Sequence, residues 1–166
     1  MTGTEWALVT QAKQGDAHAF AVLYERYYKD LYRFALCYLK NADQAEDAVS
    51  TAVLTAYEKL PGLKKEASFK SWIFQITANE CRQVFRKSKE QSLPENYEEW
   101  TEESGYETPE LDELLNVLND EERMVVTLSV FSGYRSSEIG NMLLMRPGTV
   151  RSLKSRAILK LRQALA

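Results

Sequence analysis

Histidine is nearly missing from this chain: His18 stands alone among 166 residues, accompanied by only two cysteines, Cys37 and Cys81. Metal centres are built from clustered thiolates, imidazoles and carboxylates, so neither a zinc site nor a histidine-dependent triad has the groups it needs. The cysteines form no close pair, which points to reduced, buried thiols rather than to a disulfide framework. A Walker loop, a His-Glu-x-x-His helix and a Gly-x-Ser-x-Gly elbow are all absent, and an enzyme therefore has little support. Nor does any apolar run approach the roughly 20 residues that span a bilayer. Residues 1–19 carry acid and amide where a secretion signal would be apolar. The expectation is a cytosolic protein with no catalytic group, metal, cofactor or small-molecule substrate, and no direct insertion into membrane.

Acid is missing in one place and crowded in another. The net charge of −3 divides into +2 over residues 1–87, −7 over 88–110 and +2 over 111–166. The middle stretch, Ser88 to Glu110, holds eight glutamates, two prolines and a glycine without apolar periodicity, which suits a solvated linker. Such a segment could also lie across a basic face and compete with a polyanion. From Arg146 to Arg162, by contrast, there are six basic residues and no Asp or Glu.

On either side of the acidic stretch the apolar residues recur at helical spacing. Phe20, Leu23, Tyr24, Tyr27, Leu31, Phe34, Ala35 and Tyr38 line one face; Ala45, Ala48, Val49, Ala52, Val53, Ala56, Tyr57 and Leu60 line another. Asp43 with Glu46 reads as a capping-box start, and Pro61-Gly62 as a stop. A helix from about Ser68 to Lys87 buries Phe69, Trp72, Ile73 and Ile76, a spacing that favours Trp72 as a core residue over an unstacking wedge. Its other side stacks Gln75, Asn79, Arg82 and Arg86 in a stripe of amides and guanidiniums that faces either nucleic acid or water.

The last third predicts four short amphipathic helices around Leu111, Leu114, Leu115 and Leu118; Val125, Leu128 and Phe131; Ile139, Met142 and Leu143; and Val150, Leu153, Ala157, Leu161 and Leu165. Gly140 admits a close crossing of the last helix, and Pro147 suits its first turn. Ser136 to Gly140, leading through a short break into Pro147 to Arg156, reads as a helix-turn-helix whose second helix carries base and hydroxyl on its outer face. The fold class expected is all-α: two small helical domains, 1–87 and 111–166, joined by an acidic linker at 88–110.

In order and spacing, Gly15 to Phe20, Leu23 to Tyr28, Leu31 to Ala35, Ala45 to Val49 and Phe69 to Asn79 resemble region 2 of the extracytoplasmic-function (ECF) sigma factors of bacterial RNA polymerase. Leu118 to Arg123, Gly133 to Ile139 and Gly148 to Ser152 resemble their region 4. The resemblance implies a sigma factor that binds core RNA polymerase and promoter DNA, with an anti-sigma factor as a further possible partner. It implies that Glu46, Asp47 and Ser50 face the polymerase clamp. Lys64, Lys65, Gln75, Asn79 and Arg82 would meet the minus-10 element, and Arg151, Ser152, Ser155 and Arg156 would read minus-35. Lys160 and Arg162 would meet phosphate or solvent, and His18 would be a surface residue. The chain departs from the family at Ser50-Thr51, where a Gln-Glu pair is usual, at Leu144, where Gly is frequent, and at Asn119, in place of Pro, with Asp120 left to cap the next helix. Two rival readings are a stand-alone helix-turn-helix regulator and a sigma-like protein whose weakened core binding needs a helper.

Overall fold

The computed structural model describes residues 3–91 and 109–166. Among these residues there are α-helices and short turns and no strand: α1 (Gly3–Lys13), α2 (Ala17–Leu39), α3 (Ala42–Lys59), α4 (Phe69–Gln91), α5 (Pro109–Asn116), α6 (Asp120–Val126), α7 (Ser136–Leu143) and α8 (Pro147–Leu165). Helix α4 runs to Gln91 and α5 opens at Pro109, so helix extends into both ends of the acidic segment expected at 88–110. The middle of that segment lies outside the described residues.

Each start has a local cause. Asp16 accepts the Ala19 N–H at 3.1 Å and caps α2. The cap of α3 is Asn41, whose Oδ1 accepts the Gln44 N–H at 2.9 Å, and not Asp43, which already lies inside the helix. At α6 the cap is Asn119 and not Asp120: its Oδ1 accepts the Glu122 N–H at 2.9 Å, and Glu122 Oε1 accepts the Asn119 N–H at 3.1 Å in a reciprocal capping box. In both cases the amide one or two residues upstream takes the role expected of the acid. Pro61 does not end α3 abruptly; the chain tightens into a 3₁₀ turn at Leu60–Gly62, followed by a second at Glu66–Ser68.

In the first lobe α2, α3 and α4 pack on one another and α1 lies on α2. Phe34, Phe69 and Phe74 are at most 1% exposed, and each contributes about 2–3 kcal/mol by leaving water. Cys81 is buried beside them, and burial pushes its thiol up to about 12, so it stays protonated and inert.

The second lobe does not stand apart. Buried side chains form one continuous cluster from Val9 and Phe20 through Phe74 to Leu128, Ile139 and Val150. Only Leu115, Leu118, Val126 and Ala157 make a separate small cluster, joined by Leu161. Helix α7 packs on α4, and the π turn Thr127–Phe131 that continues α6 packs on α2. Leu165, expected in the core, is instead 70% exposed, because α8 outruns its neighbours before it ends.

Candidate nucleic-acid interface

Helix α8 begins after a tight turn. Leu144 closes α7 in the left-handed region at φ 57°, and the Met145 N–H reaches back to the Gly140 carbonyl at 2.9 Å. A Cβ on Gly140 would lie 2.6 Å from the Met145 carbonyl oxygen, so it is this turn, rather than the crossing of α8 itself, that requires glycine. Pro147 then sits at the start of α8, where its missing N–H is harmless. Val150, Leu153 and Ala157 are buried. Arg151, Ser152, Ser155 and Arg156 are all exposed on the opposite face, with no acid among them. That face offers guanidinium forks and hydroxyls to a groove.

Lys160 makes a contact within the lobe that the sequence did not disclose. Its ammonium donates to Glu122 Oε1 at 2.6 Å, and Glu122 is only 1% exposed. Burial alone would raise the Glu122 pKa; the Lys160 hydrogen bond, the Asn119 N–H and the nearby Lys160 and Arg156 charges outweigh it and hold the carboxyl below its ordinary value. Lys160 therefore neutralises a buried acid within the lobe while its side chain stays 44% exposed.

The stripe on α4 is only partly open. Asn79 and Arg86 are exposed, whereas Gln75 and Arg82 are half-buried. The Gln75 side-chain N–H donates to the Asn141 carbonyl of the other lobe. Burial lowers the Arg82 pKa, with Glu121 of the second lobe and Arg86 pulling in opposite directions. Gln75 and Arg82 thus face α6 and α7 in this arrangement, and water reaches Asn79. Before α4, Leu60 and Leu63 anchor the loop, while Lys64 and Lys65 project outward. A Lys13–Glu66 ion pair at 3.2 Å ties that loop to α1.

On α3, Glu46, Asp47, Ser50 and Thr51 are exposed. One turn further along the same face stands Leu54, 67% exposed, which periodicity did not single out because it falls outside the apolar stripe. Tyr57, three residues on, is 45% exposed, so the two give this face of acids and hydroxyls a small apolar spot. Trp72 is partly buried against Phe69, ring centres 6.0 Å apart, and packs on the core. His18 is exposed, and among the described residues no cluster of His, Cys, Asp and Glu could hold a metal. No helix among those residues is long and apolar enough to cross a membrane.

Between the lobes sits a set of contacts that the sequence did not disclose. Arg123 of α6, almost fully buried, lies against two rings of the first lobe that themselves pack 5.3 Å apart, 5.6 Å from the Tyr38 centroid and 5.2 Å from that of Phe85. A desolvated guanidinium over aromatic faces is stabilised by about 1–2 kcal/mol. The Tyr38 hydroxyl donates to Asp120. Tyr134 presents its ring to Phe74 edge-on at 5.4 Å, and the Lys70 ammonium lies 4.6 Å above it.

Two helical lobes, one with a basic helix-turn-helix and the other with an amide and guanidinium stripe beside an acidic helix face, define a DNA-binding transcription protein that also has a surface for a protein partner. Two family models match the chain: Sigma-70 region 2 matches residues 23–91 and Sigma-70, region 4 matches 109–161. The chain belongs to the sigma-70 family and is an RNA polymerase sigma factor of the ECF type. It is similar to the ECF RNA polymerase sigma factor SigM of Mycobacterium tuberculosis, 28% identical over 155 residues that cover 91% of this chain and 79% of that one. It is also similar to the ECF RNA polymerase sigma-E factor of Haemophilus influenzae, 27% identical over 173 residues, covering 93% and 91%. Its fold is similar to that of CnrH in complex with the cytosolic domain of CnrY, with TM-score 0.79, 22% identity and 97% and 96% of the two chains covered. A second fold neighbour is the sigma factor RpoE in complex with the anti-sigma factor NepR from Bartonella quintana, with TM-score 0.66, 23% identity and 88% and 96% covered. A stand-alone regulator would share only the helix-turn-helix lobe, so the region 2 match over the first lobe sets that reading aside.

Proposed function

We propose that this sigma factor divides promoter recognition between its lobes and supplies no catalytic group of its own. Arg151, Ser152, Ser155 and Arg156 of α8 read the minus-35 element in the major groove, where a bidentate arginine–guanine pair is worth about 1–3 kcal/mol of discrimination. Lys64 and Lys65 of the loop, with Gln75, Asn79 and Arg82 of α4, hold the minus-10 element as it opens. Holding a freed strand offsets unstacking, which costs a few kcal/mol per step. Glu46, Asp47 and Ser50, joined by Leu54, dock on core polymerase in the cytosol. With Ser50-Thr51 in place of an amide–acid pair, Leu54 carries a larger share of that contact.

The observation that best supports this reading is the split face of α8: every buried position is apolar, and the exposed ones between Arg151 and Arg156 carry base or hydroxyl. An anti-sigma partner is a further element of the proposal, suggested by the RpoE–NepR fold neighbour. The test is run-off transcription with purified core enzyme on genomic fragments, followed by start-site mapping. Initiation at a defined set of upstream sequences is expected. If core enzyme neither retains the chain on a column nor changes its start sites when the chain is added, the proposal fails.

A further inference from the structure

The loop before α4 sets an acid directly beside the two bases meant for the opening strand: Lys64 and Lys65 are followed at once by Glu66. A carboxylate in that place can fold back on a neighbouring lysine and cancel a charge that phosphate needs, or it can be engaged elsewhere. Here it is engaged elsewhere. Glu66 Oε1 accepts the Lys13 ammonium at 3.2 Å, across 53 positions of sequence, and the two side chains are only 22% and 21% exposed. Its own backbone N–H and then Lys13 hold the Glu66 carboxyl below the ordinary carboxylate range. Lys64 and Lys65 are exposed and pair with no acid among the described residues.

Lys13 is held in place for this contact. It is the last residue of α1, and the helix stops there because Gly15, at φ 101°, turns the chain. The Gly15 N–H donates to the Ala12 carbonyl at 3.0 Å and the Asp16 N–H to the Gln11 carbonyl at 3.1 Å, after which Asp16 caps α2. Along its length α1 is fixed by the buried Val9 and Ala12 and by Glu5, which accepts the Tyr27 hydroxyl. The Tyr27 ring in turn packs on Phe69, 5.7 Å away, where α4 begins. Helix α1 also packs on both of the 3₁₀ turns that bracket the two lysines. An ion pair this close to water adds little to stability, so its consequence lies in where it leaves the charges of the loop.

We propose that Lys13 is a positioning residue for the minus-10 contact: by engaging Glu66 it keeps the acid off Lys64 and Lys65 and holds the loop that carries them in one place against α1. This inference rests on the proposed role of Lys64 and Lys65. Helix α1 thereby takes part in strand capture without touching the strand.

The test is holoenzyme binding to a fork-junction promoter, duplex through minus-35 and single-stranded across minus-10, at several salt concentrations. Lys13→Gln leaves Glu66 free to take one loop lysine, and it should weaken binding about fivefold and reduce the log–log salt slope by about 0.7, the share of one single-strand phosphate contact. Glu66→Gln removes the acid together with the tether, so its slope should stay at the parent's value. Lys13→Arg keeps the charge and should bind like the parent, and exchange of the two charges, Lys13→Glu with Glu66→Lys, should restore affinity. Retention on core enzyme and binding to a duplex minus-35 fragment should be alike in all of them. A Lys13→Gln slope equal to the parent's, or an exchange that leaves binding as weak as in Lys13→Gln, overturns the role of Lys13. Failure of the underlying assignment has a separate signature: Lys64→Ala with Lys65→Ala would leave fork-junction affinity unchanged, which removes the loop from strand capture and Lys13 with it.

Discussion

Leu144 is a leucine in a conformation that leucine avoids. At φ 57° its Cβ crowds the neighbouring carbonyl, a strain of about 1–2 kcal/mol, and its side chain, 77% exposed, gains almost nothing from packing. Leu144→Gly removes the strain but restores freedom to the unfolded chain, about 0.5–1 kcal/mol in the other direction. The net expectation is a gain of about 0.5 kcal/mol in urea unfolding; a loss would mean that the exposed leucine has a partner within the fold. Gly140, four residues earlier, behaves oppositely. The atom its new Cβ would strike is a backbone oxygen fixed by the turn, so Gly140→Ala should destabilise the chain by about 2 kcal/mol, read as a lower urea midpoint at unchanged slope. The need for a small residue at 140 was legible in the sequence; the object it must avoid was not, because that depends on the path of residues 144–146.

Helix α8 carries two kinds of base that its sequence does not distinguish. Arg151 points to solvent, and Arg151→Ala should flatten the preference among minus-35 sequences while leaving stability unchanged, as measured by holoenzyme binding to a randomised element. Lys160 is occupied by Glu122, a residue 38 positions away, and this was unreadable because Glu122 looked like one of three acids in an ordinary first turn. Lys160→Met should leave the salt slope of DNA binding as it was, yet destabilise the fold by about 2 kcal/mol by stranding a buried carboxylate. The pH dependence has a definite sign. Glu122 is held below its ordinary value when folded, so its contribution is present above about 4.5, the unfolded value, and is lost as pH falls through the lower folded one. Acid unfolding of the parent should therefore steepen below 4.5, and Lys160→Met should blunt that dependence. Similar limits governed the other helices. Strong stripes in α2 and α3 could be read directly except at Tyr57, which is 45% exposed, whereas α1 buries only Val9 and Ala12 and left almost no periodic trace.

At the scale of the whole molecule the sequence described two lobes and concealed their union. Asp120, Arg123, Tyr134, Gln75 and Tyr38 each belong to a segment that reads as surface or as local core, and only the folded chain brings them together. Because the main apolar cluster runs through both lobes, unfolding one should expose the face of the other. At about 0.7 kcal/mol per residue near 60 °C, lobes that melt independently would give van 't Hoff enthalpies of about 60 and 40 kcal/mol, whereas a single unit would give about 100. Calorimetry of the free chain should therefore show one transition whose calorimetric and van 't Hoff enthalpies agree. Arg123→Ala removes the cation that the second lobe sets against the packed Tyr38 and Phe85 rings, and it should split that transition in two, the second lobe melting first because its own separate cluster is small. Two resolved transitions in the unaltered chain would mean that the shared cluster does not couple the lobes.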